Sequence, residues 1–196
     1  MEDRDGLYTA IAELLAYPDG GFRERVARCR KLPVDSAAAA HLAEFDAATC
    51  GCDPADLEEL YTRTFDFSPS CALELGWHLF GEDYNRGALL VRLRAELARH
   101  GIHESCELPD HLTHVLPLLD RMAPDEAARF APACVTPAVE KILAGLEEKQ
   151  NPYECVFRCL VAMLHAEFGG GESTGLVFSD EKETPPRRPR YASQES

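Results

Sequence analysis

The stretch NPYECVFRCLVAMLHAEF at residues 151–168 carries the pattern that decides the fold. Its apolar residues recur every three or four positions, which is the spacing of a helix that buries one face. They are Val156, Phe157, Leu160, Val161, Leu164 and Phe168. Asn151 and Pro152 provide an N-cap and a favoured first helical position, and the glycines at 169–171 end the pattern. The stretch therefore predicts an amphipathic helix.

The same helical spacing recurs upstream from Leu7, in segments that prolines, glycines and other turn formers separate. The predicted caps of four of these helices are Ser36, Asp53, Asp110 and Thr136. A strand-like alternation is suggested only at residues 176–178. We therefore predict an all-α, single-domain helical bundle over residues 1–168. Residues 169–196 are polar and lack a hydrophobic period, which predicts a disordered C-terminal tail.

Length and charge restrict the class of partner. A chain of 196 residues with 45% hydrophobic residues can bury a core of its own without a disulfide or a metal. Its formal net charge of −14 repels phosphate backbones and anionic lipid headgroups. Nucleic acid and stable membrane insertion are therefore not expected, and basic or apolar peptides are the favoured partners.

The compartment follows from what the sequence lacks. The N-terminal residues 1–6 are charged and do not have the form of a signal peptide, and charged residues interrupt every apolar run before it could span a bilayer. The eight cysteines are scattered through a chain that does not need a disulfide framework. We expect a cytoplasmic protein with reduced thiols.

Catalytic motifs are also missing, since the sequence has no GxSxG, HExxH, P-loop or strand-borne GxGxxG. Two cysteine pairs leave an alternative open, a thiol- or metal-dependent enzyme or redox sensor that uses Cys50, Cys52, Cys155 and Cys159. Buried cysteine usually behaves as a small hydrophobe, which favours packing for Cys155 and Cys159. We predict a protein that is not an enzyme and that holds no cofactor or metal.

The segment ELPDH at residues 107–111 has two interpretations. It places acidic residues and an imidazole around a proline turn just before a helix. Asp110 there can be an ordinary cap, because free N–H groups at a helix start favour a carboxylate. The same acids could instead form the rim of a groove for an amphipathic helix that carries Arg or Lys. Of the nearby histidines, His100 and His103 are expected at a solvated helix end.

Three motifs occur in order, YTRTFDF at 61–67, GEDYNRG at 81–87 and ELPDHL at 107–112. Together they resemble the nitrate reductase delta-subunit (NarJ-type) assembly chaperones, which belong with the TorD and DmsD types. The resemblance covers roughly residues 7–168. It implies a helical chaperone that binds the N-terminal segment of a molybdoenzyme catalytic subunit. Such a chaperone assists molybdenum cofactor insertion before membrane docking or export.

The resemblance also implies a peptide-binding surface. Its residues are Tyr61, Phe65, Asp66, Arg86, Glu107, Asp110 and His111. The two aromatic residues would contact the apolar side of the client peptide, although core packing is an equally open interpretation for them. The three carboxylates would pair with basic residues of the client. Arg86 would brace Asp66 or Asp110 by a bidentate hydrogen bond, and His111 would tune affinity with pH.

The expected partner is therefore the catalytic, alpha-type subunit of a nitrate-reductase-like molybdoenzyme, bound through its N-terminal peptide. The chaperone itself is expected to be a monomer or a homodimer. Two other hypotheses stay open, the thiol- or metal-dependent enzyme and a peptide-binding scaffold for a different client.

Overall fold

The computed structural model describes residues 6–147 and 149–169, and these residues form helices joined by loops, with one isolated β-bridge. The predicted all-α fold is confirmed. The strand-like residues 176–178 and nearly all of the predicted tail lie outside the described residues.

The described residues contain α-helices labelled α1 to α10. They are α1 (Leu7–Leu14), α2 (Phe22–Cys29), α3 (Ser36–Thr49), α4 (Pro54–Tyr61), α5 (Leu75–Phe80), α6 (Tyr84–Arg99), α7 (Leu112–Arg121), α8 (Pro124–Phe130), α9 (Thr136–Glu147) and α10 (Tyr153–Phe168). A π-helical turn follows α4 at Thr62–Asp66, and a second one, Ala131–Val135, joins α8 to α9. A short 3₁₀ turn at Pro69–Cys71 precedes α5.

The helix predicted from residues 151–168 lies at the centre of the core. Phe157, Leu160 and Leu164 on its buried face are each 0% exposed. α10 packs against α3 and α9, while α1 packs on α7 and α5 lies against α6 and α9. Burying one Leu or Phe side chain contributes about 1.5–3 kcal/mol, so this face supplies much of the driving force for folding.

Three of the four predicted caps are wrong, and the first two are Ser36 and Thr136. The N-cap of α3 is Asp35, whose carboxylate accepts the N–H of Ala38 at 2.8 Å, so Ser36 is already helical. Thr136 does not cap α9, because the backbone stays helical through the π turn and the Thr136 N–H is bonded to the carbonyl of Ala131. Asp53, by contrast, caps α4 as predicted and accepts the N–H of Asp56 at 3.0 Å.

The third wrong cap is Asp110, which ties three elements together instead. His111 is the N-cap of α7 and accepts the Thr113 N–H. The Asp110 side chain is 0% exposed, and its Oδ2 accepts the N–H of Gly76 at 3.1 Å and Nε–H of Arg86 at 3.3 Å. Its backbone carbonyl accepts the N–H of Leu75 at 2.8 Å. We call this set of contacts the Asp110 junction, since it links α5, α6 and the start of α7.

Gly76 is the residue that lets the Asp110 junction close. A Cβ atom at this position would lie 2.6 Å from Asp110 Oδ2 and 3.1 Å from Arg86 Cγ. Carbon–oxygen separations that short are repulsive, and neither neighbour can retreat without breaking the hydrogen bonds of the junction. The glycine is therefore required by packing rather than by an unusual backbone conformation.

We predict that Gly76→Ala lowers the free energy of unfolding by about 2–3 kcal/mol, because it overpacks the Asp110 junction. Urea denaturation followed by circular dichroism measures this change. Gly87→Ala is the matched control, since a Cβ at Gly87 in α6 meets no atom within 4 Å. That control should be neutral or stabilising by up to about 1 kcal/mol. Equal effects of the two substitutions would contradict the proposed role of Gly76.

Candidate peptide-binding site

A surface cavity of about 940 Å³ lies where the end of α1, the π turn after α4, α5 and the loop before α7 meet. Six of the seven residues expected at the site line it. These six are Tyr61, Phe65, Asp66, Arg86, Glu107 and His111. They come from three separate parts of the chain, one for each sequence motif, so the three motifs converge on one concave surface.

The π-helical turn Thr62–Asp66 positions two of these residues. Its wider hydrogen-bonding pattern, with the N–H of Phe67 on the carbonyl of Thr62 at 3.1 Å, turns Phe65 inward and leaves Asp66 exposed. The side chain of Thr64 accepts Nδ2–H of Asn151 at 2.6 Å, which fixes the turn to the start of α10. Single π turns inside helices are frequent at functional sites, and this one shapes a wall of the cavity.

Tyr61 and Phe65 form the floor of the cavity. They are only 6% and 4% exposed, and their ring centroids lie 5.0 Å apart in an edge-to-face arrangement. Phe65 also packs on Tyr153 at 4.8 Å, and the Tyr61 hydroxyl donates to the carbonyl of Leu15 at 3.1 Å. Burial raises the pKa of Tyr61 well above its ordinary value, so the hydroxyl stays protonated. Most of the surface of both rings is thus packed in the core, and only a small part reaches the cavity.

The aromatic surface that a ligand can reach comes mainly from Tyr17 and Trp77, which the sequence interpretation did not assign to the site. Tyr17 is 51% exposed and meets Tyr61 edge to face at 5.3 Å. Trp77 is half-buried, its indole N–H donates to the carbonyl of Pro69 at 3.0 Å, and the Arg86 guanidinium lies 5.8 Å from its ring. No local spacing links Tyr17 to Tyr61, so only the three-dimensional structure brings them together.

The cavity carries a negative field. Asp66, Glu74 and Glu107 line it, and none of them forms an ion pair with any residue that the structure describes. Burial, with Asp110 and Glu107 nearby, raises the pKa of Glu74. All three carboxylates also contribute to the raised pKa of Tyr61. Arg86 lines the same cavity and offsets part of this repulsion, and a further positively charged group in the cavity would relieve more of it.

Arg86 and Asp110 have structural positions. Arg86 braces Asp110 rather than Asp66, through Nε alone, so the expected bidentate geometry is wrong. Asp110 is not among the residues that line the cavity, and its Oδ1 is buried without a hydrogen-bond partner. Its expected pairing with a basic residue of the client is therefore not supported, because the carboxylate is already enclosed.

His111 lines the cavity but cannot titrate near neutral pH. Its Nδ1 accepts the N–H of Thr113 at 3.3 Å, which places the proton of the neutral ring on Nε2. Burial, with the neighbouring His114 adding to it, lowers the pKa of His111 to about 4. The expectation that His111 tunes affinity with pH is thus corrected. His103, which was expected at a solvated helix end, also lines the cavity.

The cysteines do not form a reactive site among the described residues. All eight are free thiols. Burial raises the pKa of Cys159 to about 12 and also raises that of Cys155, so both thiols stay protonated. Within residues 6–147 and 149–169, no group of three or more potential metal ligands is close enough to hold an ion. The alternative of a thiol- or metal-dependent enzyme is therefore not supported.

No described helix is both long and apolar enough to cross a bilayer.

A family model described as nitrate reductase delta subunit matches residues 32–157, well over half of the chain, and this range includes all three motifs around the cavity. The chain belongs to the nitrate reductase delta subunit family. The resemblance inferred from the motifs is thereby confirmed.

Three curated relatives extend the match to most of the chain. The nitrate reductase molybdenum cofactor assembly chaperone NarJ of Escherichia coli (strain K12) is 26% identical over 185 residues, which covers 90% of this chain and 77% of the relative. NarW of the same strain, named as a probable chaperone of this kind, is 26% identical over 88% and 74% of the two chains. NarJ of Bacillus subtilis (strain 168), also named as a probable chaperone of this kind, is 27% identical over 83% of this chain and 90% of the relative.

The low pKa of His111 generates a prediction about stability. The pKa of His111 is about 4 in the folded protein and about 6.5, its ordinary value, in the unfolded chain. Between these two pKa values the unfolded state therefore binds more protons than the folded state does. The contribution of the neutral His111 to the free energy of unfolding is complete above pH 6.5 and is lost as the pH falls towards 4. We predict that the protonation of His111 alone lowers the free energy of unfolding by about 3 kcal/mol as the pH falls from 6.5 to 4.

Urea denaturation at pH 7, 5.5 and 4.5 measures this effect. His111→Asn keeps an N-cap side chain but cannot bind the proton. The free energy of unfolding of this variant should therefore depend less on pH than that of the native protein. The control is His103→Asn, which replaces an exposed histidine at the same cavity and should leave the pH dependence unchanged. An unaltered slope in His111→Asn would show that the histidine is not buried in a neutral form.

Proposed function

We propose that this protein is the assembly chaperone of a nitrate-reductase-like molybdoenzyme and that its cavity binds the N-terminal segment of the catalytic subunit. In this role it holds the subunit before membrane docking or export while the molybdenum cofactor is inserted. The observation that carries the proposal is the convergence of the three family motifs on a cavity with three unpaired carboxylates. The names of the relatives support the client class, since each is a nitrate reductase molybdenum cofactor assembly chaperone or a probable one.

The dimensions of the cavity favour a short peptide over a folded surface. A volume of about 940 Å³ is at the upper end of ordinary ligand pockets. It can enclose several side chains from one face of an amphipathic helix, but not a globular domain. The carboxylates suit Lys or Arg on that helix, and the accessible rings of Tyr17 and Trp77 suit its apolar residues. A chaperone with this site needs no catalytic group.

The carboxylates lead to the first binding prediction. We expect the double substitution Glu74→Gln, Glu107→Gln to weaken binding of a basic N-terminal client peptide about tenfold and to reduce the salt dependence of that binding. Isothermal titration calorimetry at 50 and 300 mM NaCl measures both quantities, with a synthetic peptide of the catalytic subunit as the probe. The reason is that two of the three unpaired negative charges of the cavity are removed without a change in side-chain size.

Glu58→Gln, Glu59→Gln provides the matched control for charge. Both residues are exposed on α4 and neither lines the cavity. This variant has the same net charge as the cavity variant, so it should retain the affinity of the native protein. If both variants lose the same affinity, general attraction to an acidic protein explains the binding and the cavity does not.

The accessible aromatic surface leads to the second binding prediction. Tyr17→Ala should weaken the same peptide about tenfold, while the free energy of unfolding changes by less than about 1 kcal/mol because the ring is half exposed. Tyr84→Ala is the control, since Tyr84 is 90% exposed and does not line the cavity. Calorimetry and urea denaturation on both variants separate lost binding from lost folding. Unchanged affinity in Tyr17→Ala would place the peptide elsewhere.

A further inference from the structure

Some carboxylates of the described surface form ion pairs with arginine, whereas others, such as Glu24, Glu58 and Asp125, have no ion-pair partner among the described residues. Glu13 pairs with Arg28, Asp19 with Arg25 and Glu104 with Arg94. In the cavity, Asp66, Glu74 and Glu107 lie together and form no ion pair among residues 6–147 and 149–169, although Arg86, which pairs with Asp110, also lines the cavity. Their field is open to any cation that can reach the cavity, including one from the same chain.

The chain carries such a cation source beyond the described residues. The segment PPRRPRY at 185–191 contains three arginines within four positions and no acidic residue. Residues 28–31 carry a similar concentration of positive charge, but there Arg28 pairs with Glu13 and Arg30 with Asp46. Arginine suits carboxylates because its planar fork can donate two parallel hydrogen bonds to each one. The segment is thus complementary in charge to the cavity.

The position of α10 determines the distance that the chain between its end and residues 185–191 must span to reach the cavity. The helix begins beside the cavity floor, where Tyr153 packs on Phe65 with ring centroids 4.8 Å apart. It ends at Phe168, which stacks on Tyr8 with ring centroids 6.3 Å apart. Its 16 residues span about 24 Å. The chain therefore leaves the described structure roughly 24 Å from the cavity floor.

The connecting length matches that span. The residues from 170 to 187 number 18. A flexible chain of that length has a root-mean-square end-to-end distance of about 23 Å, and a fully extended one reaches about 60 Å. A linker whose average length equals the span gives the highest effective concentration, on the order of 1 mM. The first arginine of the segment can therefore reach the cavity without strain.

We propose that the segment 185–191 of this chain occupies the acidic cavity when no client is bound, with Arg187, Arg188 and Arg190 facing Asp66, Glu74 and Glu107. The contact is an internal competitor of the client peptide. It rests on the proposed function only in identifying what displaces the segment. It neutralises the cavity between clients and gives way to a peptide that adds apolar contacts to the charged ones.

The strength required of this contact is small. At an effective concentration of about 1 mM, an intrinsic dissociation constant between about 0.1 and 1 mM leaves the cavity half to nine-tenths occupied. The same occupancy weakens the apparent affinity for a client about two- to tenfold. A client that binds with a micromolar constant still displaces the segment.

Trp77 reports on occupancy directly, because it lines the cavity and is the single tryptophan of the chain. Quenching of its fluorescence by acrylamide is measured in the full chain and in Arg187→Ala, Arg188→Ala, Arg190→Ala. We expect the quenching constant to rise about twofold in this variant. The native chain in 0.5 M NaCl should show the same rise, whereas salt should leave the variant unchanged.

The matched control is Arg187→Lys, Arg188→Lys, Arg190→Lys, which keeps the charge and should quench nearly like the native chain. A synthetic peptide of residues 183–193 added to the alanine variant should restore the lower quenching constant. Equal quenching in the native chain and the alanine variant would overturn the proposal. So would failure of the added peptide to protect Trp77 at millimolar concentration.

Titration with the N-terminal client peptide separates this proposal from the proposed function. The alanine variant should bind the client two- to tenfold more tightly than the native chain does. Client binding of equal strength in both would disprove the internal competitor and leave the chaperone function standing. Client binding in neither, together with a changed Trp77 signal, would disprove the client and leave the internal contact standing.

Discussion

Asp110 is a carboxylate without solvent exposure, and its charge is balanced by one guanidinium, that of Arg86, and one backbone N–H, that of Gly76. Removing one partner from a buried ion pair commonly costs about 3–5 kcal/mol, because the remaining charge is left without compensation. The junction therefore fixes the start of α6 and the start of α5 relative to α7. Two cavity residues, Trp77 on α5 and His111 at the start of α7, take their positions from it.

The motif at residues 107–112 divides its polar side chains between the folded core and the surface of the cavity. Asp110 and His111 are buried and satisfy backbone groups, whereas Glu107, three positions earlier, is exposed at the cavity. A similar division holds at residues 61–67, where Tyr61 and Phe65 form a packed floor and Asp66 reaches solvent. Each motif thus places an exposed acid on a rigid support, and a pre-organised site loses less conformational entropy when it binds.

The sequence predicted the helices well because their signals are local. The spacing of Val156, Phe157 and Leu160 needs only a few turns of chain to be recognised. α10 ends at Phe168 as this spacing indicates and begins at Tyr153, one residue after the predicted first position. The caps were less certain, since Asp35 and Ser36 are adjacent and either side chain can cap. The site was predicted in part through family motifs, but contacts such as that of Tyr17 with Tyr61 join distant parts of the chain. A π turn leaves no trace in apolar spacing, so the sequence left open whether Phe65 packs in the core or contacts the client.

In the proposed function, the three cavity carboxylates would act on a basic peptide in different ways, because their exposure differs. Asp66 and Glu107 are exposed, so salt screens them and they would mainly raise the rate at which a basic peptide meets the cavity. Glu74 is half-buried, and its raised pKa shows that its charge is poorly solvated. A cation beside Glu74 restores interactions that the carboxylate lost on leaving water, so this contact depends less on salt and more on geometry. In the proposed function, capture by the exposed acids and discrimination by the half-buried one would therefore be separable steps on the same surface.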